Sequence, residues 1–60
     1  MDIMIKATWN VNGQKISNAR SNFESIEEAM GLMGELAGKP ECVFAVLTVD
    51  GKVISTQVAR

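Results

Sequence analysis

The sequence predicts an α+β fold of order β-β-α-β-β: a four-stranded, mainly antiparallel sheet with one helix packed on one face. Three observations predict it. Asn12-Gly13 and Asp50-Gly51 each interrupt a stretch of alternating apolar residues, and both dipeptides favour the type I′ turn that joins neighbouring antiparallel strands. Between them, Ser25-Ile26-Glu27-Glu28 precedes apolar residues at three- and four-residue spacing, the pattern of a capped amphipathic helix.

In the first strand Ile3, Ile5, Ala7, Trp9 and Val11 alternate with Met4, Lys6, Thr8 and Asn10, a period of two that marks a half-buried strand. Gln14 to Ala19 returns as a more polar strand in which only Ile16 is strongly apolar. The helix is expected from about Ile26 to Ala37. The Ser25 hydroxyl can accept from the Glu28 amide and the Glu28 carboxylate can reach back to the Ser25 amide. Glu27 and Glu28 also oppose the positive end of the helix dipole. Its apolar stripe runs Ile26, Ala29, Met30, Met33, Leu36, Ala37. Gly38 is expected as a left-handed cap, and Pro40 blocks continuation. Val43 to Val49 then forms a nearly all-apolar strand, and Lys52 to Val58 an alternating one.

Two-residue loops fix the register. Trp9 should face Ile16 and Ala7 should face Asn18. Leu47 should face Ile54, Ala45 should face Thr56 and Val43 should face Val58. One face then carries Ile3, Ile5, Ala7, Trp9, Ile16, Val43, Ala45, Leu47, Ile54 and Val58, and the helix should cover it. The other face carries Met4, Lys6, Thr8, Phe44, Val46, Thr48, Val53, Ser55 and Gln57, with Cys42 at its edge. One helix cannot cover both sides of a four-stranded sheet. Met4, Phe44, Val46 and Val53 are therefore expected to be bare, and an uncovered apolar patch marks an interaction surface. The candidate partner-binding set is Met4, Lys6, Thr8, Phe44, Val46, Thr48, Val53 and Ser55. A second candidate surface lies on the outer flank of the helix, at Glu27, Gly31, Gly34 and Glu35. Against a contact there, the glycines are expected to rest against the protein's own loops or to be merely tolerated.

Composition narrows the function classes. The 60 residues are expected to form a single domain, 1–60, and a chain of this size buries only about 60% of its unfolded surface. One cysteine and no histidine leave neither a disulfide framework nor a structural zinc site. No metal or other cofactor is expected. No apolar run is long enough to span a membrane and the first five residues lack a basic n-region, so a cytoplasmic protein is expected. The net charge of −1 offers no basic stripe, and direct nucleic-acid binding is not expected. Without an imidazole, neither Cys42 nor Ser17, Ser21, Ser25 and Ser55 has an activating base. The carboxylates Glu24, Glu27, Glu28 and Glu35 are accounted for by capping and solvation. No catalytic residues are assigned and no enzymatic activity is expected.

Trp9-Asn10-Val11-Asn12-Gly13-Gln14-Lys15 as a first hairpin, Ser25-Ile26-Glu27-Glu28-Ala29-Met30 as a helix start and Val49-Asp50-Gly51-Lys52-Val53-Ile54 as a second hairpin give an architecture that resembles small phage-encoded ββαββ inhibitors of the anti-CRISPR type. It is also similar to small bacterial ββαββ domains, antitoxin-like ones included. The resemblance is architectural and carries no functional residue across. It implies a partner that is another protein, such as a host defence ribonucleoprotein. Inhibitors of this kind often mimic nucleic acid with an acidic surface. The nearly balanced charge here departs from that pattern and favours steric blocking. The alternative from the same face, or from an unpaired edge strand, is a structural homodimer; a weak nucleic-acid-binding or antitoxin-like domain comes third.

Overall fold

Positive backbone φ at two consecutive residues is strained for most side chains, yet both turns adopt it. Asn12 and Gly13 have φ of 54° and 81°, and Asp50 and Gly51 have φ of 52° and 82°. These are type I′ turns, and they set the frame of the computed structural model, which describes residues 2–58. The elements are β1 (Ile3–Val11), β2 (Gln14–Arg20), α1 (Ile26–Ala37), β3 (Cys42–Val49) and β4 (Lys52–Val58). The sheet order is β2-β1-β3-β4, with every neighbouring pair antiparallel. The fold is α+β, ββαββ, with the helix on one face of the sheet. Because β2 and β3 both oppose β1, they run the same way, and α1 is the crossover between them. The second turn is tied to the start of β1: the Asp50 N–H donates to the Asp2 carbonyl and the Asp2 N–H to Asp50 Oδ1, each at 2.8 Å.

The core is a single sandwich of helix on sheet. Ile3, Ile5 and Ala7 from β1, Cys42, Ala45 and Leu47 from β3, and Ala29, Met33 and Leu36 from α1 are buried together. Trp9, Phe23, Leu32 and Val49 pack against them. The helix stripe is therefore turned slightly from the expected one. Leu32 leans on the core, whereas Ile26, Met30 and Ala37 are exposed. A stripe of Ala29, Leu32, Met33 and Leu36 is narrower and keeps the i, i+3, i+4, i+7 spacing.

Two β-bulges move residues between faces. β1 and β3 pair regularly up to Thr8–Phe44, and then Trp9 faces Cys42. Val43 is the extra residue. Cys42 thus turns into the core at 6% exposure, and Val43, expected inside, is only half-buried. The second bulge lies in β4. Thr48 faces Val53, but Leu47 faces Ser55 instead of Ile54. Ile54 is the extra residue, and beyond it every side chain changes face. Ile54 and Val58, expected in the core, are 54% and 67% exposed. Ser55 and Gln57 take the positions opposite the buried Leu47 and Ala45, and both are half-buried. Ile16 has the expected partner, Trp9, yet is 49% exposed. The reason is that α1 packs over β3, β1 and β4 and leaves β2 uncovered.

Both ends of α1 differ in detail from expectation. Ser25 is extended (φ −152°, ψ 162°), and its hydroxyl accepts from the Glu28 N–H at 3.2 Å. The Glu28 carboxylate accepts from the Glu24 N–H at 3.4 Å, one residue upstream of the amide expected; the extended backbone at Ser25 puts that earlier N–H within its reach. Gly38 sits in the right-handed region (φ −87°, ψ −4°). The Gly38 and Lys39 amides donate to the Glu35 and Leu36 carbonyls at 3.1 Å each. These tight i→i+3 turns satisfy the Glu35 and Leu36 carbonyls without a left-handed cap.

Candidate protein-interaction surface

Alternation along β1 sends Met4, Lys6 and Thr8 away from the helix, where they lie opposite Thr48, Val46 and Phe44 of β3. No helix among the described residues covers this side. The six side chains, with Ser17 of β2, line a shallow trough of about 590 Å³ across the middle of the sheet. Phe44 is 39% exposed and Met4 37%, while Val46, Thr8 and Thr48 are half-buried by their neighbours. Hydroxyls form the polar rim. Thr8 Oγ1 and Ser17 Oγ lie 3.3 Å apart, and Thr48 Oγ1 donates to the Met4 carbonyl at 3.5 Å. Lys6 is the single charged side chain among the lining residues. The chemistry on offer is apolar contact, hydroxyl hydrogen bonding and one cation.

Of the eight residues expected to form this surface, the structure brings six into the trough. Val53 is on the same face, opposite Thr48, and 62% exposed, but it lies outside the lining. Ser55 is on the other face, displaced by the bulge at Ile54. Ser17 joins the site and was not expected there. The turn register already placed it opposite Thr8, so pairing would have found it where hydropathy did not.

The second candidate surface lies on the opposite layer. Glu27, Gly31, Gly34 and Glu35 are all exposed. A Cβ added at Gly31 or Gly34 would meet nothing within 4 Å, so neither glycine rests against the protein's own loops. The two candidate surfaces do not converge.

Charge is unevenly placed. Glu24, Glu27, Glu28 and Glu35 belong to the helix and the loop before it, and Lys39 to the loop after it, whereas β1 and β2 carry Lys6, Lys15 and Arg20 and no carboxylate; Glu41 sits beside β1, its carbonyl bonded to the Asn10 amide. Among the described residues no three Cys, Asp or Glu side chains converge as metal ligands would. The Cys42 thiol is buried and free, its S–H directed at the Phe44 carbonyl at 3.8 Å. No helix among the described residues is long and apolar enough to cross a membrane. No protein-family model matches the chain, and no curated protein or solved structure is significantly similar to it.

Proposed function

We propose that this chain is a non-enzymatic protein-binding module that acts by occupying a partner's surface with the open face of its sheet. In its most concrete form it is a phage-type inhibitor, anti-CRISPR-like, that sterically blocks a host defence complex. One observation carries the binding role: the uncovered trough lined by Met4, Lys6, Thr8, Ser17, Phe44, Val46 and Thr48. Apolar residues there lie outside the buried cluster, which is built on the other side of the sheet. The inhibitor form is supported by the architectural resemblance alone.

A face-to-face homodimer is a second use of the same surface. With extents of 35 and 17 Å along and across the molecule, each copy could bury roughly 600 Å², about 1,200 Å² in total, the lower end of stable interfaces. It would also set two copies of Lys6 against otherwise uncharged troughs, which disfavours it. The test pairs capture with oligomeric state. Tagged wild-type, Phe44→Glu and Val46→Glu chains are checked for native circular dichroism, used as bait in a lysate of the native host, and sedimented at micromolar concentration. The proposal expects a monomer of 6.5 kDa and a captured protein lost with both variants. Retention of that protein by both variants rules out the open face.

A further inference from the structure

An antiparallel strand spends half of its backbone groups on each neighbour. The two-residue turn makes Val11 and Gln14 a hydrogen-bonded pair. Alternation then assigns mutual bonds to Trp9–Ile16, Ala7–Asn18 and Ile5–Arg20. Lys15, Ser17 and Ala19 must therefore direct their N–H and C=O groups away from β1. The Asn10 amide agrees with this phase, since it turns from Lys15 and donates to the Glu41 carbonyl at 2.8 Å. Among the described residues nothing pairs with β2 on its other side: it ends the sheet order, and all seven of its residues are exposed. The opposite edge is different, because the bulge at Ile54 breaks the row of free groups along β4. Such bulges are a common device for blunting an edge. β2 has no bulge and no proline.

From this edge and its charge we infer that β2 takes up an extended acidic peptide segment as a fifth strand. Lys15 shares the open face with Lys6, while Arg20, opposite the buried Ile5, lies on the helix side. Lys15 thus offers a cation on the open face, the Arg20 guanidinium lies over the Phe23 ring at 5.1 Å on the helix side, and β1 and β2 offer no carboxylate to repel an acidic strand. A second copy of β2 is a poor occupant, because it brings Lys15 and Arg20 again. Of the chain's own carboxylates, Glu24, Glu27, Glu28 and Glu35 belong to α1 and the loop that precedes it. The contact adjoins the trough at Ser17, but it rests on backbone groups that the open-face proposal does not use.

Trp9, the single tryptophan, reports on this edge, since it pairs with Ile16 and its indole N–H donates to Asn18 Oδ1 at 3.2 Å. The probes are a capped nine-residue peptide alternating threonine and glutamate, the same peptide with lysine for glutamate, and the acidic peptide N-methylated at alternate residues in each of the two phases. The acidic peptide should shift Trp9 emission saturably, and the lysine peptide should bind at least about tenfold more weakly. One phase of N-methylation should abolish binding. Lys15→Glu should weaken the acidic peptide about threefold or more. Ser17→Pro should abolish binding with native circular dichroism retained, because the Ser17 N–H serves no bond to β1. Three results overturn the inference: equal response to both N-methylated peptides, preference for the lysine peptide or response to neither, or a dimer of the free chain that Ser17→Pro dissociates. The N-methylated series leaves the protein untouched, so it decides the matter even if a variant fails to fold.

Discussion

Replacing both interior helix glycines by alanine should make this protein distinctly more stable. An added Cβ at Gly31 or Gly34 meets nothing within 4 Å, so neither substitution requires repacking. What remains is helix propensity, about 1 kcal/mol per glycine in favour of alanine, most of it from restricting the unfolded chain. A domain of 60 residues melts with an entropy near 0.13 kcal/mol/K, so ~1 kcal/mol moves the midpoint by about 8 °C. The double variant should gain about 1.5–2 kcal/mol, or roughly 12–16 °C, if the two sites act independently. Thermal and urea unfolding followed by far-UV circular dichroism measures it. No gain, or a loss, in the isolated chain would refute the reasoning, because the outer flank of α1 would then have to be packed against something. The same variant separates the two candidate surfaces. If stability rises and partner capture persists, Glu27, Gly31, Gly34 and Glu35 are not the contact. If stability rises and capture is lost, the glycines hold the partner's backbone close and the open-face reading fails.

Leu47→Ala removes a side chain with 0% exposure and should cost about 2–5 kcal/mol, enough to leave much of the chain unfolded at 37 °C by circular dichroism. Gly51→Ala puts a Cβ on a residue with φ of 82° and should cost about 1–2 kcal/mol in urea unfolding; a neutral result would mean that the second turn is not type I′. Cys42, at 6% exposure, should react with Ellman's reagent far more slowly in the native chain than in urea. Native labelling as fast as in urea would place the thiol on the open face and remove the bulge at Val43.

The parts legible in sequence were those that local chemistry controls. Asn-Gly and Asp-Gly have few alternatives to a type I′ turn, and the Ser25 hydroxyl found its amide. β1 carries enough contrast, Ile3 and Ile5 against Lys6 and Thr8, for its phase to be read. The bulges were not legible. Cys42, Val43 and Phe44 are all apolar, so inserting one residue there leaves no trace in the pattern. In β4, Val53 and Ile54 are adjacent apolar residues, and alternation alone cannot say which of them is skipped. Ser55 was misplaced for that reason, and Ile54 and Val58 with it. The exposure of Ile16 turns on strand order, which no local pattern encodes.

The exposure of β2 on the helix side follows from a mismatch of dimensions. A helix is about 10 Å across, and strands lie about 4.8 Å apart, so one helix shelters two to three strands of four. Here it lies on β1, β3 and β4, and β2 is the strand left out. The uncovered face of the sheet could have been wholly polar, since Lys6 and Thr8 occupy it beside Met4, and Thr48 occupies it beside Val46. Folding requires the turns, the alternation in β1 and the buried set under α1. It does not require Met4, Phe44 or Val46 on the far side, nor an edge at β2 without bulge or proline. Features that the core does not need, set on a chain with few residues to spare, are where a partner's contribution to this sequence is to be sought.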